Sequence, residues 1–165
     1  MDKIQEICNN VFNKRRGGMT CTIEDSLVHI IFLVKYMQGC DISSVALLVL
    51  LELDIPTNHV GFDYLLHAIV AFCKDPLQTL SKGVYPEVAS YYNYAVSQEE
   101  MEQAIRGAIK KGWKNGNEIA WKYYFSHNTT DSIKKPTNSE FISRIGRVLQ
   151  LWQGCCERKV GNEKR

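Results

Sequence analysis

Apolar residues recur three and four positions apart along almost the whole of this chain, and nowhere do they alternate over any length. That spacing places side chains on one face of an α-helix, whereas a half-buried strand needs a period of two. Ile4, Ile7, Cys8, Val11 and Phe12 form one such face, and Thr22 opens a second helix expected to reach Gln38. The centre of that helix, "LVHIIFLV", is apolar on most sides, as is "VALLVLLEL" in a third helix expected from Ser43 or Ser44 to the residues before Pro56. Helices apolar all round are buried or packed on a partner. The fold class expected is therefore all-α, a multi-helix bundle with extra N-terminal helices.

Helix boundaries are marked by caps. Asn58 is placed to start a helix running through Cys73, and Asp75-Pro76 to start a short one reaching Lys82. Gly83 and Pro86 then bracket a break, and "YPEVASYY" makes another short helix up to Asn93. Ser97 with Glu100, and Thr137 with Glu140, are capping boxes: each hydroxyl can accept from the backbone three residues on, while the carboxylate reaches back. The first opens an amphipathic helix that turns Met101, Ala104, Ile105, Ala108 and Ile109 inward and ends at Asn115-Gly116. Asn117 is expected to cap a helix through Phe125, followed by the polar loop "SHNTTDSIKK". The second box opens a helix burying Phe141, Ile142, Ile145, Val148, Leu149 and Trp152, with a polar, frayed end from Gly154. The expected organisation is an N-terminal helical extension over 1–40, an effector domain over 41–153 and a flexible basic tail over 154–165.

A net charge of +2 favours no class of partner, but its distribution does. Residues 41–96 carry six acids against two bases, and residues 134–165 carry eight bases against three acids. The basic end is a candidate polyanion-binding face or a solvated tail. The six cysteines show no Cys-x-x-Cys spacing and read as reduced thiols in a cytoplasmic protein. The start "MDKIQEICNN" is no signal peptide, and the longest apolar run, Val45 to Leu51, is too short to span a bilayer. His29, His59, His67 and His127 lack metal-ligand spacing, and neither a phosphate loop nor a nucleophile elbow is present. No enzyme, cofactor or metal is expected, and His67 reads as a packed core residue.

A short helix followed across a turn by a longer amphipathic one, here Val84–Tyr92 and Gln98–Lys114, is the outline of a helix-turn-helix. Glu99, Glu100 and Glu102 suit the positive end of the second helix, each stabilising it by ~0.3–1 kcal/mol. Arg106, Lys110, Lys111 and Lys114 follow further along.

"IPTNHVGFDYLLHAI", "GVYPEVASYYN", "EQAIRGAIKKGWKNGN" and "KKPTNSEFI" occur in that order over residues 43–152. Together they resemble the C-terminal effector-domain family of the sporulation initiation transcription factor, stage 0 sporulation protein A. The resemblance implies a bundle of helices around a helix-turn-helix and a regulator that binds promoter DNA as a duplex. It implies too that RNA polymerase is a partner; a second copy paired through the N-terminal helices is another expected partner, and a membrane is not.

Two departures stand out. Residues 1–40 are too few for the receiver domain that usually accompanies the family, so control by aspartyl phosphorylation within this chain is not expected. At the family's arginine positions in the recognition helix stand Glu100 and Gln103, and Gly107 replaces a histidine; Glu102 and Arg106 match. The resemblance therefore implies an altered base preference. Base-reading candidates are Glu100, Glu102, Gln103, Arg106 and Lys110: arginine reads guanine, glutamine reads adenine, and a glutamate can accept from cytosine. Phosphate-contact candidates are Lys111, Lys114, Lys134 and Lys135, with the capped helix start at Asn138 and Ser139. The glycines Gly107 and Gly112 permit close approach to DNA or to another helix. The alternative function is an interaction module that keeps the fold without binding DNA and modulates another regulator.

Overall fold

The computed structural model describes residues 39–116, 118–126 and 133–162, and those residues are helical without a strand. The helices expected at Ile4–Phe12 and Thr22–Gln38, the Asn117 cap and most of the polar loop lie outside the described residues. The helices are α1 (Ile42–Glu52), α2 (Val60–Lys74), α3 (Tyr85–Tyr91), α4 (Gln98–Asn115), α5 (Glu118–Phe125) and α6 (Asn138–Asn162).

Helix α1 starts earlier than Ser43 because Asp41 caps it, its carboxylate accepting from the Ser44 amide at 2.7 Å. Val45, Ala46, Val49 and Leu50 point into the core. The helix ends as Asp54 turns left-handed (φ 53°), and the Ile55 amide returns to the Leu50 carbonyl. Helix α2 is capped by His59, one residue after the expected Asn58, and His59 Nδ1 accepts from the Gly61 amide at 3.1 Å. It is the central helix, packing against α1, α3, α4 and α6 with Phe62, Leu65, Ala68, Ile69 and Phe72 buried. Fully burying each of the large apolar side chains is worth about 1.5–3 kcal/mol.

Asp75 ends α2 and starts no helix of its own. Its amide still bonds to the Ala71 carbonyl, and its side chain accepts from the Leu77 amide in a local turn. The next start comes at Thr79, which caps a single π-helical turn over Leu80–Val84 that runs directly into α3. The helix expected from Asp75 to Lys82, with a break at Gly83, is thus replaced by a turn and a continuous entry into α3. Pro86 falls at the second position of α3, just past that junction.

The remaining helices close the bundle. Trp121 packs edge-on against Trp113 and lies in one aromatic group with Phe125 and Phe141. Tyr124 donates to Glu52 at 2.9 Å, and Arg144 Nε donates to the Tyr124 carbonyl at 2.7 Å, tying α5 to α1 and α6. The backbone of α6 continues as helix past Gly154 to Asn162.

Candidate nucleic-acid interface

The helix-turn-helix is formed by α3 and α4. Between them Asn93 and Tyr94 are both left-handed (φ 53° and 55°), and the Tyr94 amide reaches the Ala89 carbonyl at 2.8 Å. Ser97 then caps α4 in a complete box: its Oγ accepts from the Glu100 amide, and Glu100 Oε2 accepts from the Ser97 amide at 2.9 Å and hydroxyl at 2.7 Å. These bonds hold the Glu100 carboxyl below its ordinary pKa, the backbone amide contributing most. The carboxylate of Glu100 is thereby engaged at the helix start.

Met101, Ile105, Ala108, Ile109 and Gly112 form the buried side of α4. The helical period then turns Glu99, Gln103, Arg106, Lys110, Lys111 and Lys114 outward, and all six are exposed. Gln103, Arg106, Lys110 and Lys114 follow the i, i+3, i+7, i+11 spacing of a single stripe. The other two acids in this helix are bonded to amide side chains: Gln98 donates to Glu102 at 2.8 Å and Gln103 to Glu99 at 3.3 Å. Arg106, Lys110, Lys111 and Lys114 make no ion pair among the described residues.

Where α4 meets the start of α6, a cleft of about 500 Å³ is lined by Tyr85, Glu102, Arg106, Lys135 and Ser139 among others. The structure therefore brings Arg106 and Lys135, from distant parts of the chain, to one groove. Thr137 and Glu140 close the expected capping box at its edge, with Glu140 Oε2 accepting from the Thr137 amide at 2.8 Å. Asn138 is half-buried there, and its side-chain amide donates to the Glu102 carbonyl at 2.9 Å. Its immediate task is to join the two helices. Lys134 is exposed beside the cleft, whereas Gln103, Lys110, Lys111 and Lys114 lie along α4 outside it.

Neither helical glycine faces outward. A Cβ on Gly112 would strike Ile55, and one on Gly107 would lie 3.2 Å from the His59 ring, so both serve packing against the loop before α2. His59 is a member of this region that the spacing of histidines did not reveal. Partial burial, and then the charge of Lys111, lower its pKa, consistent with an Nδ1 that must stay unprotonated to cap α2. His67 is half-buried rather than fully packed: its Nδ1 shares a 3.0 Å hydrogen bond with the Tyr92 hydroxyl, and its ring lies against Tyr91, beneath the turn.

Among the described residues no three His, Cys, Asp or Glu side chains are grouped to hold a metal, and no helix is long and apolar enough to cross a membrane. Burial pushes the Cys73 thiol up to about 11, and its Sγ donates to the Gly146 carbonyl at 3.4 Å.

The family model described as sporulation initiation factor Spo0A C terminal matches residues 47–149, from the middle of α1 to the inward-facing part of α6. The match takes in the whole helix-turn-helix and the cleft beside it. With more than half of its length in that match, the chain belongs to the Spo0A C-terminal family of DNA-binding sporulation regulators.

Proposed function

We propose that this protein is a cytoplasmic, sequence-specific regulator that reads duplex DNA with the outer stripe of α4, at a site differing from the family's usual one. The observation that carries the proposal is the set of four exposed cations on α4, free of ion pairs among the described residues, three of which (Arg106, Lys110 and Lys114) align with Gln103. Arg106 is the principal base reader, with Gln103 and Lys110 on either side. A bidentate contact of arginine with guanine, or of glutamine with adenine, is worth ~1–3 kcal/mol of discrimination. Lys111, Lys114, Lys134, Lys135 and Ser139 hold phosphates, the last at the amide-rich start of α6.

The acids at the start of α4 fit this arrangement. Glu100 is satisfied in its cap, and Glu102 borders the cleft within reach of its partner Gln98. Glu102 is left as a reader of cytosine amino groups, and Glu100 contributes by fixing the helix start. A helix with acids at its entry and bases beyond enters the groove with its middle turns deepest.

Duplex binding titrated against salt tests this proposal. Affinity should fall steeply, with a log–log slope near −0.9 per phosphate neutralised. Absence of measurable binding to any duplex at low salt would leave the interaction-module alternative in its place.

A further inference from the structure

Helix α1 is apolar on the side away from the core as well as on the side facing it. Leu47, Leu48 and Leu51 are 37%, 44% and 42% exposed, while Val45, Ala46, Val49 and Leu50 are at most 1% exposed. Ser44, Leu47, Leu48 and Leu51 stand at i, i+3, i+4 and i+7, the spacing of a face made for packing. A single exposed leucine is ordinary, but three at core spacing on one short helix form a face that needs cover.

The backbone entering α1 indicates what supplies that cover. Gly39 is left-handed (φ 82°), the conformation that commonly terminates a helix. A Cβ there would meet nothing within 4 Å, so its glycine serves backbone conformation and not close packing. Asp41 caps α1 only two residues later. A left-handed glycine and a helix start separated by Cys40 alone suit the connection of an antiparallel helical hairpin.

The segment ahead of Gly39 carries the matching pattern. Leu27, Ile30, Ile31 and Val34 repeat the spacing i, i+3, i+4 and i+7. Folding the chain back about Gly39 sets residues equidistant from it side by side. Val34 then comes beside Ser44, Ile31 beside Leu47, Ile30 beside Leu48 and Leu27 beside Leu51. The two apolar sets coincide without a shift of register. At 1.5 Å per residue, residues 22–38 as a helix would extend about 25 Å, longer than the leucine face they would cover.

We propose that residues 22–38 of the same chain pack antiparallel on the Leu47–Leu48–Leu51 face of α1, making the N-terminal extension an intramolecular cover and not a dimer arm. This inference is independent of the DNA-reading proposal. It places the extension on α1, a helix separate from the polar stripe of α4.

Photocrosslinking in the full-length protein tests it. Leu48 is replaced by benzoylphenylalanine, and equal amounts of isotopically light and heavy chains are mixed, irradiated and digested. The expected result is crosslinks from residue 48 to the peptide spanning Ile30 and Ile31, with both halves carrying the same isotope label. Light–heavy pairs at the statistical proportion would show a second copy on this face and overturn the proposal. Crosslinks only to other segments, or none, would overturn it as well.

Hydrogen exchange supplies a second measurement that does not depend on the probe. Amides of residues 24–36 should be protected in the wild-type chain. They should exchange roughly tenfold faster or more in the Leu48→Asp/Leu51→Asp variant, while α2 and α4 keep their protection. Unprotected amides in the wild type, or protection indifferent to the two substitutions, would contradict the proposal.

Discussion

The side-chain amide of Asn138, in the first turn of α6, donates to the main-chain carbonyl of Glu102 in α4 at 2.9 Å. This bond sets the angle between the helix that presents Arg106 and the helix start that presents Ser139, across the cleft that both line. Asn138→Ala should lower stability by about 1 kcal/mol, the usual cost of a partly buried neutral hydrogen bond. Urea unfolding should show a lower midpoint with an unchanged slope. DNA affinity should weaken equally for all sequences, because orientation is lost and no base contact is removed.

A Cβ on Gly61 would run into the carbonyl of Ala104, where α2 crosses α4. Gly61→Ala should therefore destabilise the protein by about 3 kcal/mol, through forced separation of the two helices. Gly154 in α6 is the control, because a Cβ there meets nothing within 4 Å. Gly154→Ala should be neutral or stabilise by up to ~1 kcal/mol, from helix propensity alone. Thermal unfolding of the two variants should shift in opposite directions, or for Gly61→Ala only.

Burial lowers the folded-state pKa of both His59 and His67 below the ordinary 6.5. At His67 the nearby Asp63 opposes this shift and Lys74 adds to it. A histidine held neutral in the folded state is protonated first in the unfolded chain. Its contribution is complete above the unfolded pKa and is lost as pH falls through the interval down to the folded value. Stability should therefore decline as pH falls through and below the ordinary histidine value of 6.5. His67→Gln, which keeps a hydrogen-bonding partner for Tyr92, should decline less over the same interval. Chemical denaturation at several pH values measures the difference.

Lys111 and Lys114 are exposed and make no ion pair among the described residues, whereas Lys122 is paired with Glu118 at 2.7 Å on α5. Lys111→Gln and Lys114→Gln should each reduce the magnitude of the salt slope of DNA binding by about 1. Lys122→Gln should leave it unchanged. Fluorescence anisotropy over a series of salt concentrations provides the slopes.

Local signals accounted for the elements that were legible in the sequence. The Ser97–Glu100 and Thr137–Glu140 boxes lie within three residues of chain, and both helices begin where those boxes place them. The inward face of α4 likewise follows from a periodicity that any amphipathic helix must show. Boundaries decided by tertiary contact were not legible. Asp75-Pro76 has the chemistry of a helix start, yet its aspartate is held at the end of α2 and the chain restarts at Thr79. Histidine is an uncommon cap, so the pattern alone favours Asn58, whereas the structure sets His59 Nδ1 on the Gly61 amide and its ring beside Gly107.

The outward face of α4 was legible, but the geometry around it was not. Arg106 through Lys114 could be placed outward from period alone, whereas the pairing of Arg106 with Lys135 across a cleft joins residues whose proximity no local pattern records. The anchoring role of Asn138 belongs to the same category, since its partner is a backbone carbonyl on another helix.

Selection of bound sequences from a random duplex library, run in parallel with the wild-type protein and Arg106→Ala, tests the central claim that the outer stripe of α4 reads DNA. The account predicts that the wild type enriches a defined motif at low salt, and that the variant loses preference at one position within it, a relaxation worth ~1–3 kcal/mol. Enrichment of no motif by the wild type, or of an identical motif by Arg106→Ala, would contradict it.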